Sequence, residues 1–270
     1  METNQKNDSL ATLKSLFAAI TMIIIIGIAY LLFYYVLGAN SNFEGGKQEG
    51  HALNFLGTIH KGGIAIVPIL IACALMVVTF SIERMFAILM AGGRGSITAF
   101  VRRIKAHLAS GNVKGAIAEC DKQKGSVGNV IRSVLVVYDQ LLVDTTMDKD
   151  QKVAALQKEL EDATSLELPM LEKNLSIIAT LASVSTLIGL LGTVIGMIKS
   201  FSAMATAGTP NPTELSAGIS EALINTALGI GSSAVAIVAY NFFTTSIDTL
   251  SYSIDEAGFS IVQSFNTQVK

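Results

Sequence analysis

Charge is what this chain has least of. Asp, Glu, Lys and Arg make up 15% of its 270 residues, against about 25% in a soluble domain. Apolar residues reach 51% and the mean hydropathy is +0.54. That balance excludes an ordinary soluble enzyme. With a net charge of −2 there is no basic excess to neutralise phosphates, so nucleic-acid binding is excluded as well. The two cysteines, Cys73 and Cys120, lack CxxC or metal-ligand spacing, which supports neither a disulfide framework nor a zinc site. Catalytic signatures are also missing. Gly45-Gly46-Lys47 runs into Gln48 without the Ser or Thr of a phosphate loop, and no GxSxG, HExxH or dinucleotide fingerprint occurs. No enzymatic activity, cofactor or metal is expected.

What is present instead is four long uncharged runs, at residues 16–37, 62–82, 174–198 and 222–247. A bilayer core about 30 Å thick needs roughly 20 apolar helical residues, so each run is a candidate span. The expected fold class is an all-α integral membrane protein with four transmembrane helices. The first run is long for a signal-peptide core and has a weak cleavage match after it, so it reads as a retained helix. Twelve lysines and arginines fall between residues 94 and 173, whereas residues 204–216 contain none and residues 38–61 contain only Lys47 and Lys61. Positive charge favours the cytoplasmic side, which puts the long segment and both termini in the cytoplasm. Almost nothing is then left to fold on the far side.

The expected organisation follows. Residues 1–61 hold the first span and an outer segment, 62–89 the second span, and 90–173 a helical cytoplasmic domain. The third span covers 174–203, a short outer loop 204–216, the fourth span 217–247, and a C-terminal cytoplasmic helix 248–270. Within the cytoplasmic domain Phe100, Ile104 and Leu108 recur at helical spacing. Ser110-Gly111-Asn112 interrupts that stripe before a short helix through Ala116, Ile117 and Cys120, and residues 130–143 form another apolar helix. Val153, Leu156, Leu160 and Ala163 mark a charged helix leading towards the third span, with Pro169 as a possible kink. Were that helix continuous over 150–204, it would be about 80 Å long and would need neighbours, which oligomerisation supplies.

The last two spans differ from the first two. Gly189, Gly192, Gly196 and Ser200 form a small-residue face in the third, which allows close helix approach. Gly229 adds to it in the fourth. Thr186 and Thr193 lie beside that face, while Thr226, Ser233 and Tyr240 follow at intervals of seven. Two readings stand: hydroxyls bonded back to their own helix carbonyls, or a polar stripe lining a water-filled or partner-filled lumen. Glu221 sits about two turns into the fourth span; intramembrane carboxylates mark ion paths or partner contacts, and the alternative is snorkelling to the interface. Lys199 reads as a snorkelling anchor, and Glu83-Arg84 as an interfacial anchor or a helix-packing pair.

Two stretches carry a family resemblance. Residues 189–197 (GLLGTVIGM) followed by Ser200-Phe201, and residues 218–229 (GISEALINTALG) closing with Tyr240-Asn241, resemble the signature of the ExbB/TolQ/MotA family of proton-channel proteins, most closely its ExbB branch. Gly62-Gly63, Pro68-Ile69-Leu70 and Ile82-Glu83-Arg84 are similar to the family's first conserved span. The resemblance covers about residues 60–250. It implies a ring of five copies in the bacterial inner membrane around paired single-span helices of an ExbD-like partner, whose membrane aspartate carries the proton. Carried over by motif, Thr193 and Thr226 line that aspartate's surroundings, with Glu221 close to the same lumen. A TonB-like protein would be energised to open outer-membrane transporters. Thr186 and Val235 stand where prolines are frequent in the ExbB branch, and the first span is extra. A lipid-facing role suits its Ile/Leu surface, with the glycine-bearing spans towards the ring centre.

Overall fold

The computed structural model describes residues 19–48, 50–206 and 212–269. Helix dominates them. We number the helices α1 (Ala19–Leu37), α2 (Phe55–His60), α3 (Val67–Ala91), α4 (Ile97–Ala109), α5 (Val113–Gln123), α6 (Gly125–Val143), α7 (Lys149–Glu172), α8 (Leu175–Thr206) and α9 (Pro212–Gln268). The chain divides into two units, residues 1–81 with 177–239, and residues 82–176 with 240–270.

Each of the four expected runs overlaps a helix long and apolar enough to cross a membrane, although residues 62–66 of the second precede α3 and Asn174 precedes α8. Residues 16–18 of the first run, and 207–211 of the expected outer loop, lie outside the described residues. The flanking residues 204–206 and 212–216 are helical rather than loop. Ile23, Ile24, Leu31 and Tyr35 of α1 are exposed, while Phe33 and Leu37 pack with Val67 of α3. α8 runs unbroken through Thr186, and α9 through Val235; with no proline there, no kink is needed.

The segment after α1, expected to hold almost no folded structure, is ordered by side-chain bonds to backbone. Asn42 Nδ2 donates to the carbonyls of Val36 (2.7 Å) and Leu37 (3.0 Å), satisfying acceptors that the helix end leaves open. Asn54 Nδ2 donates to Asn42 Oδ1 (2.9 Å), and Asn54 Oδ1 accepts from Gly57 N at the start of α2. Gln48 reaches back to Gly38 O and Lys61 to Gln48 O. The His60 ring stacks on Phe33, centroids 4.5 Å apart, with Phe43 edge-on at 5.3 Å. Burial, and then the neighbouring Lys61 charge, lower the His60 pKa from its ordinary value.

The second unit is built on the apolar stripes legible in the sequence. Phe100, Ile104 and Leu108 are buried, α4 ends at Ala109, and Asn112 caps α5. α6 is a fifth helix with the length and composition of a span, and the least apolar of the five. Its Val127, Ile131, Val134, Leu135 and Tyr138 are completely buried, so it is the central helix of this unit. The C-terminal part of α9 packs here through Ile254, Ile261 and Phe265. Tyr138 meets Phe265 edge-on at 4.8 Å and donates to Gln268 Oε1 at 3.0 Å. α9 has no boundary at 247–248; it is one 57-residue helix.

The charged helix is not continuous into the third span. Pro169 stays inside α7, and the break comes at Lys173-Asn174, where Asn174 has φ 64°. Asparagine is among the few residues that adopt this left-handed geometry readily. Arg84, almost fully buried, donates from Nη1 to Leu171 O (3.1 Å), an open carbonyl in the last turn of α7, and from Nε to Glu83 Oε2 (2.7 Å). Asn174 Nδ2 donates to the same carboxylate at 3.3 Å. Arg84 thus ties the end of α7 to the Glu83 carboxylate.

Candidate functional site

Antiparallel packing of α8 against the first half of α9 puts the glycines face to face. A Cβ on Gly189 would lie 3.0 Å from Asn225 O and 3.1 Å from Gly229 Cα. One on Gly229 would lie 2.6 Å from Ser185 O, and one on Gly196 2.8 Å from Gly218 O. A Cβ on Gly192 would meet the Asn225 side chain at 2.5 Å. Backbone-to-backbone approach at this range is open only to glycine. The small-residue face is thus used inside one chain, to close its own helix hairpin.

Both expected threonines point their hydroxyls at neighbouring carbonyls of α8. Thr193 Oγ1 donates to Leu190 O (2.6 Å) on its own helix, and Thr226 Oγ1 donates across from α9 to Gly189 O (3.4 Å). Thr193 borders an open groove with Val194, Met197, Ile198 and Phe201. Ser233 is buried, whereas Tyr240 is half-buried and belongs to the second unit.

Three residues play parts the sequence reading did not assign. Lys199 Nζ lies 2.6 Å from Glu221 Oε1, with the carboxylate side chain only 17% exposed. The two residues stand at nearly equal distances in sequence from the facing ends of α8 and α9, a signal that an antiparallel register makes readable. Asn225, one turn further along α9, is buried and donates from Nδ2 to Gly62 O at 2.9 Å.

Comparison with known proteins bears on this hairpin directly. Residues 130–256 match the family model described as the MotA/TolQ/ExbB proton channel family. Over this stretch the chain is similar to that family. It is 32% identical over 124 residues to the Tol-Pal system protein TolQ of Pseudomonas aeruginosa, covering 46% of this chain and 54% of that one. It is 40% identical over 86 residues to a putative biopolymer transport protein, ExbB-like 3, of Synechocystis, covering 31% and 41%. Against the biopolymer transport protein ExbB of Pseudomonas putida it is 27% identical over 165 residues, covering 60% and 50%. The chain spans about half the length of these curated relatives. The family match contains all of α8 and most of α9, including both threonines and the Lys199–Glu221 pair.

Proposed function

We propose that the chain is the ring subunit of a motor driven by the proton-motive force in the bacterial inner membrane, with both termini in the cytoplasm. With an ExbD-like single-span partner, it energises a TonB-like protein for outer-membrane transport. The observation that carries this reading is the pair of threonine hydroxyls, Thr193 and Thr226, set on adjacent carbonyls of a glycine-closed hairpin. A hydroxyl donates one hydrogen bond and accepts two, so each can turn from its carbonyl to a partner carboxylate as that group gains and loses a proton. Ser233 continues the polar line along α9, and Tyr240 follows at the same interval in the sequence. A ring of five copies, with the α8–α9 hairpins inward and α1 towards lipid, encloses the partner helices.

The energies are commensurate. One proton crossing 100 mV supplies about 2.3 kcal/mol, and a hydrogen bond to a charged group contributes about 1.5–3 kcal/mol. Exchanging such bonds can therefore couple proton movement to rearrangement of ring and partner.

Purifying the chain together with the product of its neighbouring gene tests the proposal. A stable complex with a single-span protein bearing a membrane aspartate supports it. An isolated ring with a lipid-filled centre points instead to a non-conducting scaffold. A TolQ-like role is the second reading, favoured by the 32% identity to a TolQ over 124 residues; the identity of the co-purified partner separates the two.

A further inference from the structure

Glu221 and Asn225 lie one turn apart on α9, and both engage the Gly62–Gly63 turn that leads into α3. Asn225 donates to the Gly62 carbonyl at 2.9 Å. Gly63 adopts φ +95°, and a Cβ built there would fall 2.5 Å from Glu221 Oε1. The carboxylate thus occupies the space that a side chain at 63 would need. The same Oε1 is the atom that Lys199 of α8 holds at 2.6 Å. A single carboxylate therefore meets α8 on one side and the lead into α3 on the other, and the residue following Asn225 is Thr226.

We propose that Lys199 is a positioning residue: it holds Glu221 in an ion pair that, with Asn225, clasps α8, α9 and the Gly62–Gly63 turn, and so sets the rotation of α9 that presents Thr226. This rests on the reading of Thr226 as part of the ion pathway. It assigns Glu221 to the clasp and not to the route of the proton. The charges of the pair matter to this role, but which helix carries which sign does not. Lys199 is 55% exposed along its side chain, so a longer or reversed head group has room. Gly63 fits only as glycine, because alanine would meet a left-handed backbone and push the carboxylate off Lys199.

The test is a charge-reversal cycle on the full chain purified with its partner. Lys199→Glu, Glu221→Lys, the double reversal and Lys199→Arg are compared for thermal midpoint in detergent and for proton flux in liposomes. Each single reversal places like charges together and is expected to lower the midpoint by several degrees and the flux several-fold. The double reversal recovers most of both, and Lys199→Arg keeps both. A double variant no more stable than the single ones overturns the clasp. A double variant that regains its thermal midpoint but not its flux also overturns the assignment, since Glu221 would then serve the ion itself. If the wild-type complex carries no protons, the proposed function fails, while the thermal cycle still decides the clasp.

Discussion

Gly229→Ala is the sharpest probe of the hairpin, because the atoms it meets are backbone on both sides. The added methyl would sit 2.6 Å from Ser185 O and 2.9 Å from Gly189 Cα, where ordinary contacts begin at 3.4 Å. The helices must part by about 0.8 Å at this crossing. A gap of that size forfeits about a quarter to a half of the dispersion energy of the contacts it opens. Overpacking of this kind costs about 1–3 kcal/mol, offset by about 1 kcal/mol of helix propensity gained over glycine. Gly27→Ala isolates the offset, because a Cβ there meets nothing within 4 Å. The two variants should differ by about 1–3 kcal/mol, or several degrees at about 2–4 °C per kcal/mol. Size-exclusion chromatography after heating, read by fluorescence, measures the midpoints. Equal midpoints would refute the close-packed hairpin.

Other variants separate the remaining parts. Thr226→Val and Thr193→Val remove a hydroxyl at nearly constant shape; each should assemble normally with the partner yet lose most energised uptake, measured in cells. Arg84→Ala strips Leu171 O of its donor and should cost about 1–3 kcal/mol, seen as faster limited proteolysis near residues 172–174. Arg84→Lys should restore little, because one ammonium lacks the fork that serves a carbonyl and a carboxylate together. Burial, and then the nearby Asp121, push the Cys120 thiol up to about 12. It therefore stays protonated at pH 8, and mass spectrometry should find it unalkylated in the native chain and fully alkylated after unfolding.

Much of this fold could be read from periodicity. The Phe100, Ile104 and Leu108 stripe and the four uncharged runs report burial or lipid contact one helix at a time, so they survive without knowledge of partners. What escaped depends on register. The glycines announced a close contact, but only the antiparallel pairing shows that Gly189 meets Gly229 within one chain. The Lys199–Glu221 pair was hidden for the same reason, each residue looking like a lone charge near an interface. The segment after α1 escaped differently: its order comes from Asn42, Gln48 and Asn54 bonding to backbone and to each other, and such bonds leave no periodic trace. Pro169 drew attention as a kink, yet the helix passes it, and the break falls where Asn174 takes a positive φ.

Proton flux into liposomes containing the chain and the proposed single-span partner measures the central claim most directly, with a pH-sensitive dye inside and an imposed gradient. The account predicts flux from the wild-type complex that is lost when the partner's membrane aspartate becomes asparagine and strongly reduced by Thr226→Val. Flux that persists unchanged in the Thr226→Val complex, or a well-assembled wild-type complex that passes no protons, would contradict it.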